Sequence, residues 1–145
     1  MLKNIDPLLT PDLLLVLAAM GHGDELVIVD ANFPAASTAQ RLIRLDGVSA
    51  TRALQAVLSL LPLDDFVDSP AAVMQVVDAP GMIPEVVQEF KRIVNAAEGK
   101  EIEVAAVERF KFYERTRAAF AVIVTGETRL YGNVILKKGI IRPHN

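Results

Sequence analysis

Residues 20–34, MGHGDELVIVDANFP, decide how the rest of the chain is read. The run ELVIV at 25–29 is short, apolar and bounded by turn residues, the pattern of a buried strand. His22, one of two histidines in the chain, lies between Gly21 and Gly23 in the turn before that strand. Asp30 stands at its C-terminal end, followed by Ala31, Asn32, Phe33 and Pro34. In an open α/β sheet, ligands collect at the carboxyl ends of the strands. A histidine, which titrates near neutrality, and a carboxylate able to orient it are the minimum set for moving protons on a small polar substrate. Equally, Gly21 could end a helix in the left-handed conformation with His22 facing solvent, and Asp30 could be a turn former. The stretch alone leaves both open.

Outward from it, helices and strands alternate. Thr10-Pro11-Asp12 is a helix start, with a capping hydroxyl, a proline in the first position and an acid in the first turn, and it predicts a helix over 11–20. Residues 35–40, AASTAQ, are expected as loop; 41–45 alternate polar and apolar residues as a half-exposed strand, with a turn at Asp46-Gly47. Ser49 caps a helix over 50–60, in which Ala53, Leu54, Val57 and Leu58 share one face and which Pro62 ends. Further expectations are an interior strand over 71–77, a helix over 84–97 opened by Pro84, a strand over 102–107, a helix over 110–120, a strand over 121–125 and a last strand over 133–137. The result is a single domain over 1–145, three-layer α/β/α with a mixed sheet.

Composition narrows the function. At 145 residues the chain can bury a sizeable core. Hydrophobic residues are 52% and mean hydropathy is +0.34, yet the apolar runs, such as residues 13–20, are far too short to span a bilayer, and no signal peptide opens the chain. The excess apolar surface is expected between subunits. A net charge of −3 with scattered basic residues argues against nucleic acid. The absence of cysteine removes disulfides, thiolate nucleophiles and cysteine zinc sites, and fits a cytoplasmic protein. Gly21-His22-Gly23 is not a nucleotide-binding turn, because Leu26 takes the third glycine's place and a strand follows. Ser37 or Ser69 with His22 and Asp30 lacks a GxSxG elbow, and no HxH or HExxH spacing supports a metal. What is left is a site of His22, Asp30 and Asn32 with donors from elsewhere. Candidates are RFKFYER at 109–115, carrying Arg109, Tyr113, Glu114 and Arg115, and LYGN at 130–133, carrying Tyr131 and Asn133. Arginine, tyrosine and asparagine supply directional donors and acceptors for sugar hydroxyls. Glu114 and Arg115 are read as a solvated face.

Taken together, GHGDE…DANFP, RFKFYER, TGE at 125–127 and YGNxxLKKG at 131–139 resemble the L-fucose mutarotase and D-ribose pyranase family over nearly the whole chain, including the opening LKNIDPLLTPDLLLVLAAMGHGD. The chain is closer to the fucose mutarotase branch; the pyranase branch carries DAGLP, YAN and a histidine where Arg109 stands here. The resemblance implies a cofactor-free, metal-free isomerase that interconverts the anomers of a reducing monosaccharide such as L-fucose. It implies a ring-shaped homo-oligomer, decameric in the best-known cases, with sites near subunit contacts. It assigns the catalytic histidine to His22 and the sugar-binding positions to Asp30, Arg109, Tyr131, Gly132 and Asn133; the chemistry of ring opening adds Asp30 and Tyr131 to the catalytic set, Asp30 orienting the ring or holding a sugar hydroxyl and Tyr131 sharing proton transfer. Ribose pyranase activity and a non-catalytic sugar-binding accessory role are the alternatives. The tail IIRPHN with His144 inherits no role.

Overall fold

The computed structural model describes residues 1–144. Six strands form one mixed sheet in the order β2-β5-β1-β6-β3-β4. They are β1 (Glu25–Val29), β2 (Leu42–Leu45), β3 (Ala71–Met74), β4 (Val104–Val107), β5 (Ala121–Thr125) and β6 (Val134–Lys137). β1 runs parallel to β5, β5 to β2, and β3 to β4, whereas β6 is antiparallel to both its neighbours, β1 and β3. Five strands therefore share one direction and β6 opposes them.

Helices cover both faces of the sheet. Alternation along β1 assigns the sides, since successive side chains of a strand point oppositely. Leu26 and Ile28 join the larger core beneath α1 (Pro11–Ala19), α3 (Ala50–Leu58) and α4 (Glu85–Glu98), with Leu13, Leu54 and Phe90 fully buried. Val27 and Val29 face the smaller core with Phe33, Ala35 and Phe112, under α2 (Ala35–Thr38) and α5 (Arg109–Ala118). β1 is buried on both faces and paired on both edges, which is why its sequence is an unbroken apolar run. Caps set the helix ends: the Thr10 hydroxyl accepts from Leu13 N–H (3.2 Å), the Ser49 hydroxyl from Arg52 N–H (3.2 Å), and Gly99 closes α4 at φ 68°.

Two expectations are corrected. Residues 35–38 are a single helical turn, not loop: Phe33 and Ala35 pack into the smaller core, and the Ser37 and Thr38 hydroxyls bond back to Pro34 O. β3 ends at Met74 instead of 77. Gln75 N–H still reaches Val107 O (2.8 Å), but Val77 N–H donates to Tyr131 Oη (3.0 Å) and Asp78 turns to φ 64°. Among the described residues no helix is long and apolar enough to cross a membrane.

The turn after β5 packs directly on the turn after β2. Gly126 N–H donates to Val48 O (2.8 Å), and a Cβ on Gly126 would lie 2.1 Å from the Asp46 carbonyl oxygen. Backbone meets backbone there, so no side-chain rotation relieves the overlap. Gly126→Ala is expected to cost about 2–3 kcal/mol, the scale of overpacking without room to relax. Urea unfolding measures it, and a loss below the error of the fit contradicts the packing described.

Candidate active site

Because β6 opposes the other strands, its beginning lies at the edge where they end. Asp30 follows β1, Val77 lies beyond β3, Arg109 opens α5 directly after β4, and Asn133 precedes β6. These residues line one cavity of about 230 Å³ with Asn32, Phe33, Met74, Tyr113, Leu130 and Tyr131. Of the predicted sugar-binding residues, Asp30, Arg109, Tyr131 and Asn133 are thus brought together, and Gly132 joins the last two.

The cavity's polar groups are held by backbone. Asp30 N–H donates to Asn133 Oδ1 (2.9 Å), and Asn32 N–H donates to Asp30 Oδ1 (3.0 Å). Burial raises the Asp30 carboxyl above the usual carboxylate range, against the opposing pull of hydrogen bonds from Asn32, Asn133, Phe33 and Gly132. Tyr131, at φ 65°, accepts from Val77 N–H through its hydroxyl and keeps its own O–H proton to donate. The Arg109 guanidinium lies 4.6 Å from the centre of the Phe110 ring and has no ion-pair partner among the described residues. Phe33 braces the wall, with Tyr113 at 5.3 Å and Phe112 at 6.1 Å between ring centres.

The turn bearing Tyr131 and Asn133 is folded around Glu127. This buried carboxylate accepts from Ala50 N–H at the start of α3 and from Arg129 through both its oxygens; Arg129 also pairs with Glu89 of α4. The Arg129 hydrogen bonds hold Glu127 below the usual carboxylate range although burial opposes this. A Cβ on Gly132 would come within 2.8 Å of Glu127 Cγ and 3.5 Å of Asp30 Cβ, so the turn closes this tightly only with glycine there. Arg115 and Glu114 carry no site role: Arg115 pairs with Glu25 (2.5 Å) and Glu114 is exposed.

His22 is not in this cavity. It precedes β1 while Asp30 follows it, and a five-residue strand is roughly 16 Å long, so one chain holds the two at opposite edges of the sheet. There His22 Nε2 lies 2.9 Å from Asp64 Oδ1 and its ring 5.0 Å from that of Phe66. Asp64 is 4% exposed; burial pushes its carboxyl upward, but hydrogen bonds from His22 and Phe66 N–H and the charge of Lys137 outweigh this and leave it lowered. The sequence carries no signal for Asp64, which stands 42 residues from His22, nor for the apolar lining from Met74, Val77 and Leu130. Among the described residues no three His, Asp or Glu side chains gather as a metal site.

A family model for the RbsD / FucU transport protein family matches residues 3–141. This chain belongs to that family. It is similar to fucose mutarotase of Homo sapiens, 51% identical with 97% of this chain and 94% of the relative covered, and to L-fucose mutarotase of Histophilus somni, 44% identical with 97% of both covered. Among solved structures, the fucose mutarotase of Streptococcus pneumoniae in complex with L-fucose superposes with a TM-score of 0.91 at 43% identity, covering 97% of this chain and all of that one. Bacillus subtilis RbsD complexed with D-ribose shares the fold at a TM-score of 0.71 and 23% identity, with 98% of this chain and 100% of that one covered.

The buried Asp30 ties the stability of this RbsD / FucU member to pH. A carboxyl whose folded-state pKa is raised contributes most to stability below its ordinary value of 3.8, and that contribution is lost as pH rises through the raised value. Asp30→Asn is therefore expected to raise Tm at pH 7 and to show no such gain below pH 3.8. Thermal scans across this range check the sign; a lower Tm at pH 7 contradicts it.

Proposed function

We propose that this chain is an L-fucose mutarotase that opens and recloses the sugar ring by general acid–base catalysis in the cytoplasm. The observation that carries this reading is the cavity in which Asp30, Arg109, Tyr131 and Asn133 converge, in a chain that resembles fucose mutarotases end to end. A carboxylate, a guanidinium, a phenol and an amide together grip several hydroxyls of one pyranose directionally.

Mutarotation needs two proton movements. The anomeric hydroxyl gives up its proton, the ring oxygen gains one, and the bond between the anomeric carbon and the ring oxygen breaks. The aldehyde rotates and the ring recloses on its other face. No electrons are gained or lost, so the task is positioning and proton transfer, worth roughly 10²–10⁴-fold per well-placed group. Tyr131, with its O–H free to donate, is assigned one transfer and His22 the other. Asp30 and Arg109 fix the sugar.

His22 reaches the sugar from a second copy. The edge carrying His22 presents Phe66 and Ile141, and the edge carrying the cavity presents Phe110 and Leu130, all large and exposed. Contact between two unlike edges is heterologous, and repetition closes it into a ring, here a decamer. Tyr131 then serves the cavity of its own subunit.

Saturation-difference proton NMR at the anomeric resonances of L-fucose, D-ribose and D-galactose tests the activity. Exchange on fucose is expected to accelerate, and His22→Ala to lower turnover by roughly 10²–10⁴-fold with little effect on affinity. Sugar binding without exchange would make the protein a sugar-binding module, and exchange confined to ribose a pyranase. Mixing His22→Ala and Arg109→Ala subunits, each inactive alone, is expected to restore activity at about one quarter of the contacts, where the intact halves meet. No recovery after denaturation and co-refolding would place the whole site within one chain.

A further inference from the structure

We propose that Glu127 is a positioning residue of the sugar site, its buried carboxylate setting the separation between Asp30 and the turn that carries Tyr131 and Asn133. The inference rests on the reading of that cavity as the sugar site and adds to it the residue that holds its two sides in register.

Thr125-Gly126-Glu127 fastens both sides. On the side of Asp30, Thr125 Oγ1 donates to Val29 O (2.7 Å) and Ala31 N–H donates to Glu127 O (2.9 Å), so the residues before and after Asp30 are each tied to the motif. Glu127 N–H donates to Thr125 Oγ1 (3.2 Å), which joins the two ties. On the side of Asn133, Glu127 Oε2 accepts from the Arg129 backbone N–H (3.2 Å) and from Arg129 Nε (3.1 Å), and Oε1 accepts from Arg129 Nη2 (3.1 Å). Gly132 lies so close that a Cβ there would come within 2.8 Å of Glu127 Cγ. The two walls of the cavity thus meet at one residue, and the hydrogen bond from Asp30 N–H to Asn133 Oδ1 spans a gap whose width that residue fixes.

The charge of Glu127 shapes the turn. An ionised carboxylate accepts on both oxygens and a guanidinium donates in a planar fork, so the pair fixes orientation as well as distance. The hydrogen bonds from Arg129 hold the carboxyl below its ordinary range, which keeps it ionised at neutral pH. Arg129 also pairs with Glu89 of α4, and Glu127 Oε1 accepts from Ala50 N–H (3.3 Å) at the start of α3, so the turn is anchored to two helices of the larger core. Tyr131 needs such a hold: φ 65° is costly for a residue with a side chain and persists only where the surroundings impose it. Glu127 does not itself line the cavity, so its effect on a sugar is exerted through Asp30, Tyr131 and Asn133.

Anomer exchange of L-fucose by the intact protein provides the test. Glu127→Gln keeps the shape and removes the charge, and is expected to raise KM roughly 10- to 100-fold, the scale on which small misplacements of gripping groups act. The change in kcat should be far smaller, because Tyr131 Oη keeps its own tie to Val77 N–H. Asn133→Ala should raise KM as well, and the two changes together should raise it by less than the product of the single effects, because they disable the same contact. If Glu127→Gln fails to fold, Arg129→Lys keeps the charge but replaces the fork with a single point donor, and should raise KM about 10-fold. A role confined to stability would lower Tm in these variants and leave KM where it is. Unchanged KM in the Glu127 and Arg129 variants, or full multiplication with Asn133→Ala, overturns the inference alone. Unchanged KM in Asn133→Ala itself removes the reading of the cavity, and this inference with it.

Discussion

The architecture depends on one strand running the wrong way. β6 sits between β1 and β3, antiparallel to both, in a sheet whose other strands share a direction. A parallel strand there would deliver its first residue to the far edge. Running backwards, β6 brings Asn133 beside Asp30, across 103 residues of sequence, and closes the contact with a hydrogen bond from the Asp30 backbone. At its other end, the same strand supplies Lys137 to Gly139, on which the loops of His22 and Asp64 are mounted. One strand thus sets the geometry at both ends of the sheet.

The two buried carboxylates near the cavity are treated in opposite ways. Glu127 is given a full set of partners: Arg129 meets both its oxygens, Ala50 N–H adds a third contact, and the charge is held below its ordinary range. It fastens the turn. Asp30, a few ångströms away across Gly132, has backbone donors but no cation, and burial raises its pKa. A buried carboxylate without a countercharge is unfavourable for folding even when hydrogen-bonded. One turn thus carries an ion-paired carboxylate beside a hydrogen-bonded one that has no countercharge.

Much of this was legible in the sequence because local rules governed it. The caps at Thr10 and Ser49, the unbroken ELVIV run and the glycine closing α4 each report their own surroundings, and each element they predicted is present. The cavity residues were found because the DANFP, RFKFYER and YGN motifs are short and lie beside strand ends. Where expectation failed, the cause was nonlocal. β3 stops at Met74 because Tyr131, more than fifty residues later, takes the Val77 N–H that would have continued the strand. Residues 35–38 wind into a helical turn because Phe33 and Ala35 are drawn into a core built by α5. Asp64 carries no motif, and only the return of β6 places it against His22.

The separation of His22 from the cavity was the least legible feature and has the largest consequence. Read along the chain, His22 and Asp30 are eight residues apart and look like one site; an extended strand sets its full length between them. On the proposed reading, neither edge can work until the unlike edge of another copy meets it, so activity and assembly become one equilibrium. The apolar side chains at the two edges, Phe66 and Ile141 on one and Phe110 and Leu130 on the other, then do two things at once. They supply the area that holds the ring together, and they exclude water around a cavity whose polar groups act more strongly when water is absent. On that reading, the high apolar content of the chain serves the chemistry as well as the fold.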